Sequence, residues 1–172
     1  EANLLGQIRT GAASGLASKY LANPNAKTLA VIGSGFQAET QLEAINSQFN
    51  LDEARIYSRN KENRDSFVDK MKKKLDLNII GCNSSDEATN NSDIISLITN
   101  STTPVISDEQ ITQGIHVNAA GGNSWLRSEL STNSIKKFDF ISFWDVLEHV
   151  TDINETLRKI EEVSKKKNYF NR

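Results

Sequence analysis

The sequence predicts an α/β fold, with a doubly wound, mostly parallel sheet, helices on both faces and one helix ahead of the first strand. Three observations predict it. Short apolar runs rich in Ile, Val and Leu alternate along the 172 residues with longer segments of helical periodicity. The first run, Thr28–Ile32, passes through a glycine turn directly into a helical segment. A chain of this length is also sufficient for one domain with a sizeable core.

The elements follow in order. Residues Ala2–Leu21 place Leu4, Leu5, Ile8, Ala12, Leu16 and Tyr20 near one helical face. Within this helix Thr10–Gly15 is a run of small side chains that admits a second backbone at close range. Asn23-Pro24 ends it, because the residue before a proline is pushed out of the helical region. Strand Thr28–Ile32 comes next, then the turn, then a helix with Ala38, Leu42, Ile45 and Phe49 at helical spacing. Ala54–Tyr57 reads as a second strand. Glu62–Leu75 reads as an amphipathic helix whose lysine-rich end complements its negative terminus. Further strands are predicted at Leu77–Ile80, Asp93–Ile98 and Gly114–Ala119, with a short helix Ser85–Asn90 that Ser85 would cap.

Composition narrows the partners. A net charge of −2 and a pI near 5.8 point away from nucleic acid and from anionic membrane surfaces. The single cysteine, Cys82, excludes an internal disulfide and reads as a buried thiol in a reducing, cytoplasmic setting. No apolar run approaches the roughly 20 residues of a membrane span. His116 and His149 lack companions at metal-ligand spacing, so no metal site is predicted.

The turn carries the chemistry. Gly33-Ser34-Gly35-Phe36-Gln37-Ala38 is G-x-G-x-x-A, opened by a strand and closed by a helix, as in Rossmann-like dinucleotide sites. Gly33 permits the tight turn, Gly35 lets bare backbone approach a pyrophosphate, and Ala38 lets the helix sit close on its strand. The amides and positive dipole end at the helix start then face the phosphates. A carboxylate about 20 residues further on would hold the 2′-hydroxyl of NAD. The second strand ends instead in Ser58-Arg59, a pair that suits a 2′-phosphate. NADP(H) is therefore expected ahead of NAD(H), with Arg59 as a solvated turn residue the plainer alternative.

Five separated segments together resemble the ornithine cyclodeaminase/mu-crystallin family: Ile8–Ser14, Ala30–Gln41, Ile56–Arg59, Thr99–Pro104 (TNSTTP) and His116–Leu130 (HVNAAGGNSWLRSEL). The resemblance covers residues 1–135 and implies an oxidoreductase, homodimeric in the parent family. Such an enzyme moves a hydride at the carbon bearing the nitrogen of a small amino or imino acid. It implies that Arg9 grips the substrate carboxylate, that Gly33, Ser34, Gly35, Phe36, Gln37 and Ala38 form the pyrophosphate turn, and that Ser58 and Arg59 meet the adenosine ribose. It also implies cofactor contacts for Thr99, Asn100, Ser101 and Thr102 after the fourth strand, and for Asn118 on the nicotinamide side. At Asn123 the family's cyclodeaminases have an acid/base aspartate. Asparagine does not titrate, so hydride transfer survives on paper while cyclisation becomes doubtful. The chain opens without a methionine, and the family's upstream half, with its substrate-facing lysine, is expected to be missing from it. An inactive dinucleotide-binding module is the alternative to an enzyme.

The tail is read separately. Phe138–Val163 resembles the fourth strand and next helix of a class I S-adenosylmethionine methyltransferase, but that family's cofactor loop has no counterpart upstream. The expected division is a dinucleotide domain at 1–135 and a strand–helix tail at 136–172, read either as a divergent sixth strand and helix of the same fold or as an unrelated segment joined near Ile135–Phe138. Phe138–Phe143 could add a strand covered by Ile153, Leu157, Ile160 and Val163.

Overall fold

The structure is a computed structural model that describes residues 2–122, 127–142, 154–155, 158 and 161–162. Its elements are α1 (Ala2–Leu21), β1 (Thr28–Ile32), α2 (Ala38–Asn46), β2 (Glu53–Tyr57), α3 (Lys61–Lys74), β3 (Asn78–Gly81), α4 (Ser85–Thr89), β4 (Ile94–Leu97), a 3₁₀ turn (Asp108–Gln110), β5 (His116–Ala119) and α5 (Thr132–Ile135). The five strands form one parallel sheet in the order β3-β2-β1-β4-β5. The winding reverses between β1 and β4, and a crevice at the carboxyl ends of those strands is where such sheets take ligands.

Both faces of the sheet are covered, which explains why β1 reads as an unbroken apolar run. Leu29 and Val31 point into one cluster with Leu42, Ile45, Ile56, Phe67 and Met71. Ala30 and Ile32 point to the other with Ile95, Leu97, Ile106 and Ile111. Each fully buried Leu or Ile of this kind contributes about 1.5–3 kcal/mol. Cys82 is buried beside Ala88, and burial pushes its thiol above the usual range.

The predicted strands and helices are present, with three corrections. First, α1 packs on its small and polar face: Gln7, Gly11, Ser14, Gly15, Ala17 and Ser18 are buried, whereas Leu4, Leu5, Ile8, Leu16 and Tyr20 are exposed. The reason is steric. A Cβ on Gly11 would lie 2.5 Å from the Thr40 carbonyl oxygen, and one on Gly15 2.9 Å from that of Ala44, so the helix backbones themselves touch. Second, Ser84, not Ser85, caps α4: its backbone is extended and its hydroxyl accepts the Glu87 N–H at 3.0 Å. Third, residues 138–142 form no strand; Phe138 packs onto the second cluster and Phe140 is 65% exposed. Strand limits differ by one or two residues, most at β5, which begins at His116 because Gly114 takes a positive φ in the preceding turn. Ile153, Leu157, Ile160 and Val163 lie outside the described residues. No helix among the described residues is long and apolar enough to cross a membrane.

Candidate dinucleotide cleft

The strand-to-helix turn is held from both sides. Gly33 donates its N–H to the Tyr57 carbonyl at 2.8 Å, and Ile98 donates to Ile32 at 2.9 Å. Gly33 has φ +120°, and a Cβ on it would lie 2.3 Å from the Ile98 carbonyl oxygen. Only glycine meets both conditions. Gly35 is different: a Cβ there meets no protein atom within 4 Å, so its backbone is open to a ligand. Ala38, the first residue of α2, is fully buried and does not line the cleft.

Gly33, Ser34, Gly35, Phe36 and Gln37 line an open cleft of about 1760 Å³ along the carboxyl edge of the sheet. Ser58 and Arg59 lie on its wall at the end of β2; Thr99, Asn100 and Ser101 follow β4; Asn118 ends β5; and Arg9 comes from α1. The sequence-predicted residues thus converge, with two qualifications beyond Ala38. Thr102 is exposed and does not line the cleft. Asn118 is buried, and its amide is committed to the protein: Nδ2 donates to Ser18 Oγ at 2.8 Å and Oδ1 lies 3.2 Å from His116 Nε2. Asn123 lies outside the described residues, as does His149 of the tail. Among the described residues, no three His, Cys, Asp or Glu side chains group as metal ligands do.

Four residues that sequence reading did not single out position the site. Gln7 donates its amide to the Phe36 carbonyl in the turn, and Thr40 Oγ1 donates to the Gln7 carbonyl at 2.8 Å. Buried Gln41 donates to the Thr10 carbonyl at 3.2 Å and accepts from Ser96 Oγ at 3.1 Å, joining α1, α2 and β4. Together with Asn118–Ser18, these bonds seat the helix that carries Arg9 against the phosphate turn. Glu129, 3% exposed, ties the loops after β4 and β5. Their signal was faint, because polar residues in a helix or loop normally read as solvated.

Arg9, Arg59 and Arg127 all line the cleft, a charge distribution suited to an anionic ligand. Burial holds His116 below its usual range, although the Asn118 oxygen favours the charged form. A depressed folded value means stability present above the unfolded value and lost as pH falls. Over about pH 7 to 5, the wild-type chain should therefore lose more stability than His116→Gln. Urea titrations across that range check it; equal losses contradict the half-buried neutral ring.

Known proteins share the fold that builds this cleft. The ornithine cyclodeaminase/mu-crystallin family model matches residues 1–166, so it runs through the tail, whose methyltransferase likeness finds no support. A Delta(1)-pyrroline-2-carboxylate reductase of Bacillus cereus is 40% identical over 137 residues, covering 80% of this chain and 42% of that protein. The chain thus spans less than half the length of that relative. The structure of the Thermococcus litoralis Delta(1)-pyrroline-2-carboxylate reductase in complex with NADH and L-proline superposes with a TM-score of 0.75. It is 37% identical, covering 80% of this chain and 42% of that one. An archaeal alanine dehydrogenase dimer with bound NAD superposes at 0.80 with 28% identity, covering 96% of this chain and 55% of that one.

Proposed function

The chain belongs to the ornithine cyclodeaminase/mu-crystallin family, and on that premise we propose that it is the dinucleotide-binding part of an NAD(P)-linked oxidoreductase. The enzyme would transfer a hydride to or from the carbon bearing the nitrogen of a small amino or imino acid. The observation that carries this reading is the meeting of the glycine turn, the Ser58-Arg59 edge and Arg9 in one cleft.

Two features support a dinucleotide there. The Gly35 backbone faces open space, as a pyrophosphate contact requires, and Gln37 Oε1 is buried without a hydrogen-bond partner. An orphaned acceptor of that kind suits a hydroxyl donor such as a ribose. The bound nicotinamide would supply the hydride chemistry. The chain's own residues do the rest. The turn and the α2 start hold the phosphates. Arg9 grips the substrate carboxylate through its paired donors. Asn123 orients the nitrogen by hydrogen bonding without giving or taking a proton. Ser58 and Arg59 favour NADP(H). No carboxylate competes with them at the end of β2, and the neighbouring Asn60 side chain is engaged in capping α3. Association as a homodimer is proposed by analogy with the archaeal alanine dehydrogenase.

The test is reduction of 1-pyrroline-2-carboxylate with NADPH by the whole enzyme to which this dinucleotide-binding part belongs. Turnover is expected, with Arg9→Gln raising KM by about tenfold or more and changing kcat less. In parallel binding titrations, Arg59→Ala should weaken NADPH by about tenfold and leave NADH nearly unchanged. Equal losses for both cofactors would contradict the 2′-phosphate assignment. Tight NADPH binding without turnover would favour the second reading, a dinucleotide-binding module without catalysis, for which Asn123 is the motivating residue.

A further inference from the structure

Beyond the last ladder bond, from the Ala120 N–H to the Leu97 carbonyl at 2.9 Å, β4 and β5 no longer pair. The chain nevertheless keeps the two following loops in contact. A Cβ on Gly121 would lie 2.3 Å from the Thr99 carbonyl oxygen, 2.5 Å from the Thr99 nitrogen and 2.6 Å from Glu129 Oε1. Two backbone segments and one side chain therefore meet at one point of the cleft.

The Glu129 side chain fills that point. Oε1 accepts the Thr99 N–H at 2.6 Å and the Thr99 hydroxyl at 2.8 Å; Oε2 accepts the Gly121 N–H at 2.7 Å. The backbone around it is anchored in turn. The Glu129 carbonyl accepts Val105 N–H, and Ser128 N–H donates to the Ser101 carbonyl, both at 3.0 Å. A side chain placed for packing alone would not need a buried carboxylate, since burial raises its pKa and penalises the charged form. The three donors, and the positive charge of Arg127, offset part of that penalty.

We propose that Glu129 is a positioning residue for the nicotinamide end of the cleft, its two carboxylate oxygens fixing the loop after β4 against the loop after β5. This rests on the dinucleotide reading above. The geometry also explains why the residue must be a carboxylate. In Glu129→Gln one oxygen becomes an NH₂, so whichever way the amide turns, either the Thr99 or the Gly121 N–H faces a donor.

The experiment compares this chain with its Glu129→Gln variant in titrations with NADPH and with adenosine 2′,5′-bisphosphate, the adenine half of that cofactor. Amide hydrogen exchange is followed alongside. The expected result is NADPH affinity lower by about tenfold, unchanged bisphosphate affinity, and faster exchange confined to Thr99 and Gly121. Unchanged NADPH affinity overturns the proposal. So does parallel loss of both ligands with loss of protection in β1, which would make Glu129 a residue of the fold only. Should Glu129→Gln fail to fold, Thr99→Val, which removes the hydroxyl donor to Glu129 together with the acceptor of the Ser101 N–H, must show the same selective loss of NADPH at smaller size. If the wild-type chain binds the bisphosphate but not NADPH, the nicotinamide reading falls and this proposal with it.

Discussion

Gly33→Ala is expected to destabilise the chain by about 2–4 kcal/mol and to abolish dinucleotide binding. Two costs coincide at this position. A φ of +120° is a region that L side chains rarely adopt, and the new Cβ would sit 2.3 Å from the Ile98 carbonyl oxygen. Neither partner can move aside: Gly33 is bonded to Tyr57 and Ile98 to Ile32, at the centre of the sheet. Gly35→Ala is the informative companion. Nothing in the protein opposes its Cβ, so the urea midpoint should stay near wild type while cofactor affinity falls, because the methyl enters the space left for phosphate. A stable Gly33→Ala chain that still binds NADPH would refute this account of the turn.

Gly11→Val should unseat α1. The substituted Cβ would lie 2.5 Å from the Thr40 carbonyl oxygen and 2.7 Å from the Thr40 side chain, so the two helices have to separate. Overpacking of this kind costs on the order of 1–3 kcal/mol. Separation also strains the bonds Gln7 to Phe36, Gln41 to Thr10 and Asn118 to Ser18, which fix the helix that carries Arg9. Substrate KM should therefore rise more than cofactor Kd. Gly6→Ala is the control: it lies in the same helix with nothing within 4 Å of the added Cβ. It should stabilise by about 0.5–1 kcal/mol through helix propensity. Opposite signs at the two glycines would establish that close helix contact, not helix formation, is what Gly11 provides.

The sheet and its glycine turn were legible because their signals are local. An apolar run followed by G-x-G-x-x-A has few alternative structures, and β1 begins and ends where that pattern does. The buried face of α1 was not legible by the same logic. Periodicity weighs large apolar side chains, and here Leu4, Leu5 and Tyr20 face outward while glycine, alanine and serine make the contact. The run of small residues Thr10–Gly15 was the better guide, since close backbone approach selects small size more than hydrophobicity. The Ser84 cap differs from the expected one by a single residue, which depends on which of two adjacent serines adopts extended backbone. Glu129 shows the deeper limit. Its partners are 30 and 8 residues away in the chain, and no local pattern reports that three segments converge on one carboxylate.

The most direct test of the central claim is a crystal structure of this chain grown with NADPH. The pyrophosphate is expected against the Gly33–Gly35 backbone, the 2′-phosphate at Ser58 and Arg59, and the nicotinamide toward Thr99 and Gly121 on the side of Arg9. A dinucleotide bound elsewhere, or a cleft still empty at concentrations that saturate related reductases, would contradict it.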